Sequence, residues 1–238
     1  MLGYRIDAVL FDLDGTLLDT APDMARAANR VLADYDVQPL TAAQIQANTS
    51  YGANGLIKAG FGTIPAHLNP THLRQQFLDY YHDEICLKTS MYSGIDTLLS
   101  YLNKNKVPWG IMTNKPEFLT QRLLPYFPVL SEAEVVVCGD TLDKAKPHPD
   151  PLWHACQLLN IPPESCLYVG DIEKDMIAAR AARMPGAVAG WGYIGDEHHP
   201  DLWQAQAILP EPAALIPILE QHNRNESAFF NQSCCTQK

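Results

Sequence analysis

The sequence predicts an α/β protein: a parallel sheet covered by helices on both faces, with an all-helical segment inserted after the first strand. Three observations carry this expectation. Short apolar runs alternate with helical periods along most of the chain, the rhythm of a parallel sheet buried on both faces. Residues 17 to about 90 break that rhythm and hold helical patterns only. The strand-like runs end in Asp, Thr, Lys or Gly-Asp segments, at the carboxyl ends where open parallel sheets bind ligands.

The first strand is "DAVLF" (7–11), followed by Asp12, Asp14, Gly15 and Thr16. Residues two apart in a strand share a side, so strand geometry continued past Phe11 puts two carboxylates about 7 Å apart. Two anions that close favour a divalent cation or a proton between them, unless they merely end a strand in a polar turn. Gly15 lets the chain turn where a side chain would clash. In the insert, Met24, Ala28, Val31, Leu32 and Tyr35 form one apolar stripe; Leu73, Phe77, Tyr80, Tyr81 and Ile85 form another. The chain returns near Ser93-Gly94, so the insert sits where a lid would.

Ile95, Leu98, Leu99 and Leu102 stripe a helix ahead of the second strand, "VPWGIMT" (107–113), which runs into "TNKP". A third strand, "EVVVCG" (134–139), leads to "KAKPHPDP", where Asp150 is the expected N-cap and Pro151 the first helical residue. The fourth strand, "CLYVG" (166–170), opens into "GDIEKD" with Asp171 and Asp175; a weaker fifth is "GAVAGW" (186–191). The expected boundaries are 1–16 and 90–222 for the sheet domain, 17–89 for the helical insert and 223–238 for a solvated tail.

At 47% hydrophobic and 18% charged residues, the 238-residue chain is an ordinary globular protein able to bury a core. Its net charge of −10 argues against nucleic-acid and anionic-membrane partners. It does not argue against a small anionic substrate, whose site needs only local donors or a metal ion. No run of about 18 apolar residues suggests a membrane span. Asp7 within the first apolar stretch argues against a signal peptide. None of the six cysteines forms a Cys-x-x-Cys pair, and Cys138 and Cys166 lie in strand-like runs. Buried thiols of a cytoplasmic protein are expected.

In order, the four strand ends resemble the four motifs of the haloacid dehalogenase-like superfamily. These are DxDGT at 12–16, Thr113 after the second strand, Lys146 ahead of a helix, and GDxxxD at 170–175. The resemblance runs to about residue 220, and "TNKP", "KPHPDPL", "YVGD" and "GWGY" look most like its phosphoglycolate phosphatase branch. It implies a Rossmann-like core with the insert as a cap. It also implies a Mg²⁺-dependent phosphatase acting on a small phosphorylated metabolite, 2-phosphoglycolate or a sugar phosphate such as N-acetylmuramic acid 6-phosphate. Such an enzyme would be a monomer or a homodimer.

Phosphoryl transfer to water needs a nucleophile, charge neutralisation and a proton donor for the leaving oxygen. The resemblance assigns Asp12 as nucleophile, forming an aspartyl-phosphate, and Asp14 as acid and base. It places Mg²⁺ on Asp12, the backbone carbonyl of Asp14 and Asp171. Thr113 and the backbone of Asn114 would hold a phosphoryl oxygen, and Lys146 would neutralise another. Asp175 either supports the metal through water or favours the N-terminus of the next helix. Thr16 either bonds near the nucleophile, beside substrate, or caps the turn. In "NTSYGANGLI", Ser50, Tyr51, Gly52 and Asn54 either contact the leaving group or form a helix-joining turn. Lys144, His148 and His198-His199 read as surface groups, and Phe118, Trp153 and Trp191 as packing. The alternative functions are a phosphomutase using the same residues and a catalytically idle binding protein.

Overall fold

Strand β1 (Ala8–Phe11) is apolar and buried throughout, and it occupies the middle of a six-stranded sheet. The computed structural model describes residues 5–195 and 198–221; the expected tail at 223–238 lies outside them. After β1 come β2 (Leu18–Asp19), α1 (Ala21–Ala33), α2 (Ala42–Asn48), α3 (Gly52–Phe61), α4 (Pro70–Asp83) and β3 (Ser90–Met91). Then follow α5 (Ile95–Lys104), β4 (Trp109–Met112), α6 (Glu117–Leu123), β5 (Val135–Val137) and α7 (Asp150–Leu159). The chain continues through β6 (Cys166–Gly170), α8 (Glu173–Ala181), β7 (Gly186–Ala189) and β8 (Ala207–Leu209).

The sheet order is β5-β4-β1-β6-β7-β8, with every pairing parallel. The chain steps outward from β1 to β4 and β5, then crosses back to β6 and outward again. The order reverses beside β1, and a ligand crevice opens at such a reversal. All five predicted strands are present. Strand β8 is an addition: it is a three-residue edge strand with one buried residue, too short and too exposed to show an apolar run.

The pleat divides the core. Ala8 and Leu10 pack with Leu152 and Ala155 of α7 and with Ala178 and Ala179 of α8. Val9 and Phe11 face the other way, in one cluster with Leu98, Leu99 and Leu102 of α5. The predicted α5 stripe is fully buried. Helix α7 begins at Asp150 rather than after it: Pro149 is the cap, and the Asp150 carboxylate pairs with His148 at 3.1 Å and Lys144 at 3.6 Å. Cys138, Cys156 and Cys166 are buried free thiols, with the last two sulfurs 3.5 Å apart.

Helices α1 to α4 form a layer of their own, in which α1 packs on α3 and α4, and α2 packs on α3. Both predicted stripes point inward, except that Tyr80 lies at the flank. Its hydroxyl donates to Asp34 at 2.7 Å and the Arg30 guanidinium sits 4.0 Å from its ring, so the phenol keeps polar partners. The chain enters and leaves this layer through β2 and β3, an antiparallel pair with Leu18 opposite Met91. Asp23, buried in the first turn of α1, accepts hydrogen bonds from the Leu87, Lys88 and Thr89 amides and the Thr89 hydroxyl. That carboxylate ties the returning segment to the departing one.

Candidate active site

Asp12 is the first residue beyond β1, and its amide still donates to the Val169 carbonyl at 2.9 Å, as a strand residue would. One carboxylate oxygen accepts the Leu13 amide at 2.7 Å; the other lies 2.9 Å from the Lys146 ammonium. The chain then turns. Gly15 has φ +83°, and a Cβ there would lie 2.2 Å from an Asp171 carboxylate oxygen, so no other residue fits this close approach. The turn puts the Thr16 hydroxyl under Asp171, to which it donates at 3.1 Å, while the Tyr193 amide donates to the second Asp171 oxygen at 2.9 Å. Oxygens of Asp12, Asp171 and Asp175 gather within 4.8 Å of one another, all buried.

Burial pushes the Asp12 carboxyl up to about 6, although Lys146 opposes the shift. Burial also holds Asp171 well above the usual carboxylate range, with the charges of Asp175 and Asp12 adding to it. Burial alone would pull the Lys146 ammonium down, but Asp12 and Asp175, the latter at 2.8 Å, outweigh it and hold it above its ordinary value. Lys146 also donates to the Tyr168 hydroxyl at 2.7 Å. The Asn114 side chain exchanges two 3.0 Å hydrogen bonds with the Lys146 backbone and so sets where the ammonium stands. One ammonium among three buried carboxylates leaves negative charge unbalanced. The donors are hard oxygens, and that set fits Mg²⁺. Asp175 has each oxygen engaged, one by Lys146 and one by the Ile172 amide at 3.1 Å, at the start of α8.

Asp14 behaves differently from its neighbour two residues away. A cation or proton shared between the Asp12 and Asp14 carboxylates is not what the geometry provides, because the chain has left strand geometry by Asp14. The Asp14 carboxylate is taken instead by the Lys115 ammonium, at 2.9 and 3.1 Å, and by the Thr20 hydroxyl at 2.7 Å. Lys115 is buried, and it also meets the Tyr81 hydroxyl of α4 at 3.0 Å. The Tyr193 hydroxyl accepts the Thr20 and Ala21 amides at 2.7 and 2.9 Å. Sequence reasoning missed Lys115, Thr20, Tyr81 and Tyr193. The one available signal was in "TNKP", where Lys115 stands two residues beyond Thr113.

These groups line a crevice of about 230 Å³. Its floor is Asp12, Asp14, Thr113, Asn114, Lys146 and Asp171, and its roof includes Ser50, Tyr51, Gly52 and Asn54 from the junction of α2 and α3. Ser50 and Tyr51 lie in the turn that joins α2 to α3, Gly52 and Asn54 in the first turn of α3, and all four line the crevice. Arg74 of α4 and Lys174 of α8 line it too, which the sequence did not indicate. Thr16 is a correction: it is fully buried behind Asp171, off the crevice wall, because its hydroxyl is held by that carboxylate. Thr113 is nearly buried, and its hydroxyl accepts the Lys115 amide at 3.2 Å. Trp191 packs against the core, donating to the Thr16 carbonyl at 2.9 Å, and Phe118 lies against His82 with ring centroids 5.9 Å apart.

A family model described as haloacid dehalogenase-like hydrolase matches residues 9–189. A phosphoglycolate phosphatase of Xylella fastidiosa is 42% identical over 207 residues, covering 87% of this chain and 90% of the relative. The N-acetylmuramic acid 6-phosphate phosphatase of Pseudomonas aeruginosa is 35% identical over 221 residues, covering 93% and 98%. Among solved structures, one described as a predicted phosphoglycolate phosphatase from Haemophilus somnus superposes with a TM-score of 0.81 at 24% identity, over 90% of this chain and 97% of that one. That last likeness establishes a shared fold. Among the described residues, no helix is long and apolar enough to cross a membrane.

Proposed function

The chain belongs to the haloacid dehalogenase-like hydrolase family, and we propose that it hydrolyses a small organic phosphomonoester, with Mg²⁺, through an aspartyl-phosphate on Asp12. The observation that carries this reading is the Asp12 carboxylate, which lies on the crevice floor with one oxygen on Lys146 and within 4.8 Å of Asp171. An Asp12 oxygen attacks phosphorus, the bond to the leaving oxygen breaks, and that oxygen takes a proton from Asp14. Asp14 then accepts a proton from water as the water oxygen attacks the same phosphorus. The Asp12–phosphorus bond breaks, and Asp12 and inorganic phosphate are released. Lys146 neutralises phosphoryl charge, and Thr113 with the Asn114 backbone holds an equatorial oxygen. Asp12, Asp171 and the Asp14 carbonyl would hold Mg²⁺, which would supply further charge neutralisation. Asp175 orients Lys146, and helices α1 to α4 serve as the cap.

The crevice is smaller than the ~300–1,000 Å³ of pockets that take drug-sized ligands, which favours a compact ester such as 2-phosphoglycolate. Arg74 and Lys174 suit its carboxylate. N-acetylmuramic acid 6-phosphate is the second reading. It also carries a carboxylate, and an adjoining crevice of about 290 Å³, which shares Tyr51 and Lys174 with the first, offers room for a sugar. Free thiols at Cys86, Cys138, Cys156 and Cys166 suit a cytoplasmic location.

The test is phosphate release from purified protein on both substrates, with Mg²⁺ and with excess chelator. Turnover should require Mg²⁺ and fall by on the order of 10³-fold or more in Asp12→Asn. Activity that survives chelation, or that persists in Asp12→Asn, overturns the reading.

A further inference from the structure

A buried lysine connects the proton-transfer carboxylate to the helical layer. Lys115 stands three residues beyond the end of β4, and its ammonium is almost sealed from water, with 3% of the side chain exposed. A cation in that position is costly unless every donor is met. Here the partners are both oxygens of Asp14, at 2.9 and 3.1 Å, and the Tyr81 hydroxyl at 3.0 Å. The Tyr81 ring also lies beneath the ammonium, with its centroid 4.5 Å away. Tyr81 belongs to α4, so the contact joins two layers that meet again in the short β2–β3 pair. Asp14 keeps 22% of its side chain exposed to the crevice, and apart from Lys115 its carboxylate is held by Thr20. Without Lys115, one hydroxyl would have to hold a carboxylate that can swing toward water.

We propose that Lys115 is the positioning residue for Asp14, and that its bond to Tyr81 makes the alignment of that carboxylate depend on α4 being seated over the site. The inference rests on the reading of Asp14 as the proton donor. In this arrangement the cap closes over the crevice and, through Tyr81, sets the rotamer of the acid. Proton delivery is then ready only when the roof is in place over a bound ester.

A lysine that merely stitched α4 to the sheet would have the same contacts, so the test must read proton transfer itself. An alkyl leaving group departs as a strongly basic alkoxide and needs a proton from the enzyme; 4-nitrophenolate is a weak base and leaves without one. The ratio kcat/KM covers the steps up to release of that group. In Lys115→Met, kcat/KM should fall on the order of 10²-fold for 2-phosphoglycolate or another alkyl phosphate, and by less than about tenfold for 4-nitrophenyl phosphate. Tyr81→Phe keeps the ring and the packing, and should show the same selective loss at about 5–10-fold. Equal losses on both substrates in Lys115→Met and Tyr81→Phe would make Lys115 a structural tie and overturn the proposal. If Lys115→Met does not fold, Tyr81→Phe decides alone. Asp14→Asn is the reference. If it too loses both substrates equally, the proton-donor reading of Asp14 fails. If it shows the selective loss and the other variants do not, only this proposal fails.

Discussion

Two Asp–Lys–Tyr chains start within the same turn after β1 and end in different layers of the molecule. The inner one runs from Asp12 through Lys146 to Tyr168, and all three residues belong to the sheet or to loops at its carboxyl edge. The outer one runs from Asp14 through Lys115 to Tyr81 and crosses into α4. The inner carboxylate and ammonium are 9% and 1% exposed, and the ammonium is shared with Asp175. The outer carboxylate keeps a fifth of its surface open to the crevice. Similar chemistry thus sits in two mechanical settings. One is set by parallel strand pairing and encloses the Asp12 carboxylate; the other exists only where two layers pack together.

The sharpest way to break that comparison is to remove each cation from the metal-free protein and measure urea denaturation. Lys146→Met leaves Asp12 and Asp175 facing each other without a counter-charge, and should cost about 3–5 kcal/mol. Lys115→Met should cost clearly less, because Asp14 can turn to water. Equal losses would mean that the outer pair is as enclosed as the inner one.

A smaller effect concerns pH and the metal. Free Asp12 has its carboxyl raised from 3.8 to about 6, so between those values the folded protein holds a proton that the unfolded chain has lost. Stability from this group is therefore present at low pH and is lost as pH rises through about 6. Mg²⁺ needs the deprotonated form and works in the opposite direction. Near pH 7.5, Mg²⁺ at roughly 100 times its Kd should add about 2.7 kcal/mol. The increment should shrink toward about pH 5, as protons compete for Asp12 and Asp171. Thermal denaturation with and without Mg²⁺ at the two pH values checks this; an increment that does not change with pH would place the ion away from Asp12.

The smallest expected difference separates the two tyrosines. Tyr168→Phe removes a hydroxyl that accepts from Lys146 at 2.7 Å and donates to the Met112 carbonyl at 2.9 Å, and should cost about 1–3 kcal/mol. Tyr81→Phe removes the hydrogen bond to Lys115 at 3.0 Å and should cost about 1 kcal/mol. The reverse order in urea denaturation would show that the outer chain carries more of the fold than its geometry suggests.

The inner chain was largely legible from local signals. Apolar runs ending in Asp12 and in Asp171 mark strand ends by themselves, and Lys146 stands before a helix start that Pro151 announces. The outer chain was not. Lys115 looks like any loop lysine beside a proline, and Tyr81 looks like one more apolar position on α4. Their meeting joins residues 34 apart on different layers, and no periodicity reports such a pairing.

The sequence by itself determined the strand and helix rhythm, the helical insert after β1, and the set of carboxylate, hydroxyl and ammonium groups gathered at the strand ends. Those follow from hydrophobic burial repeated over short windows, which the chain records residue by residue. Only the tertiary structure decided which ammonium meets which carboxylate, that Thr16 serves Asp171 rather than the crevice, and that Asp12 and Asp14 part company at Gly15. The physical reason is that charge pairing in a buried site depends on distances of a few ångströms between distant segments. Those distances exist only after the layers have packed.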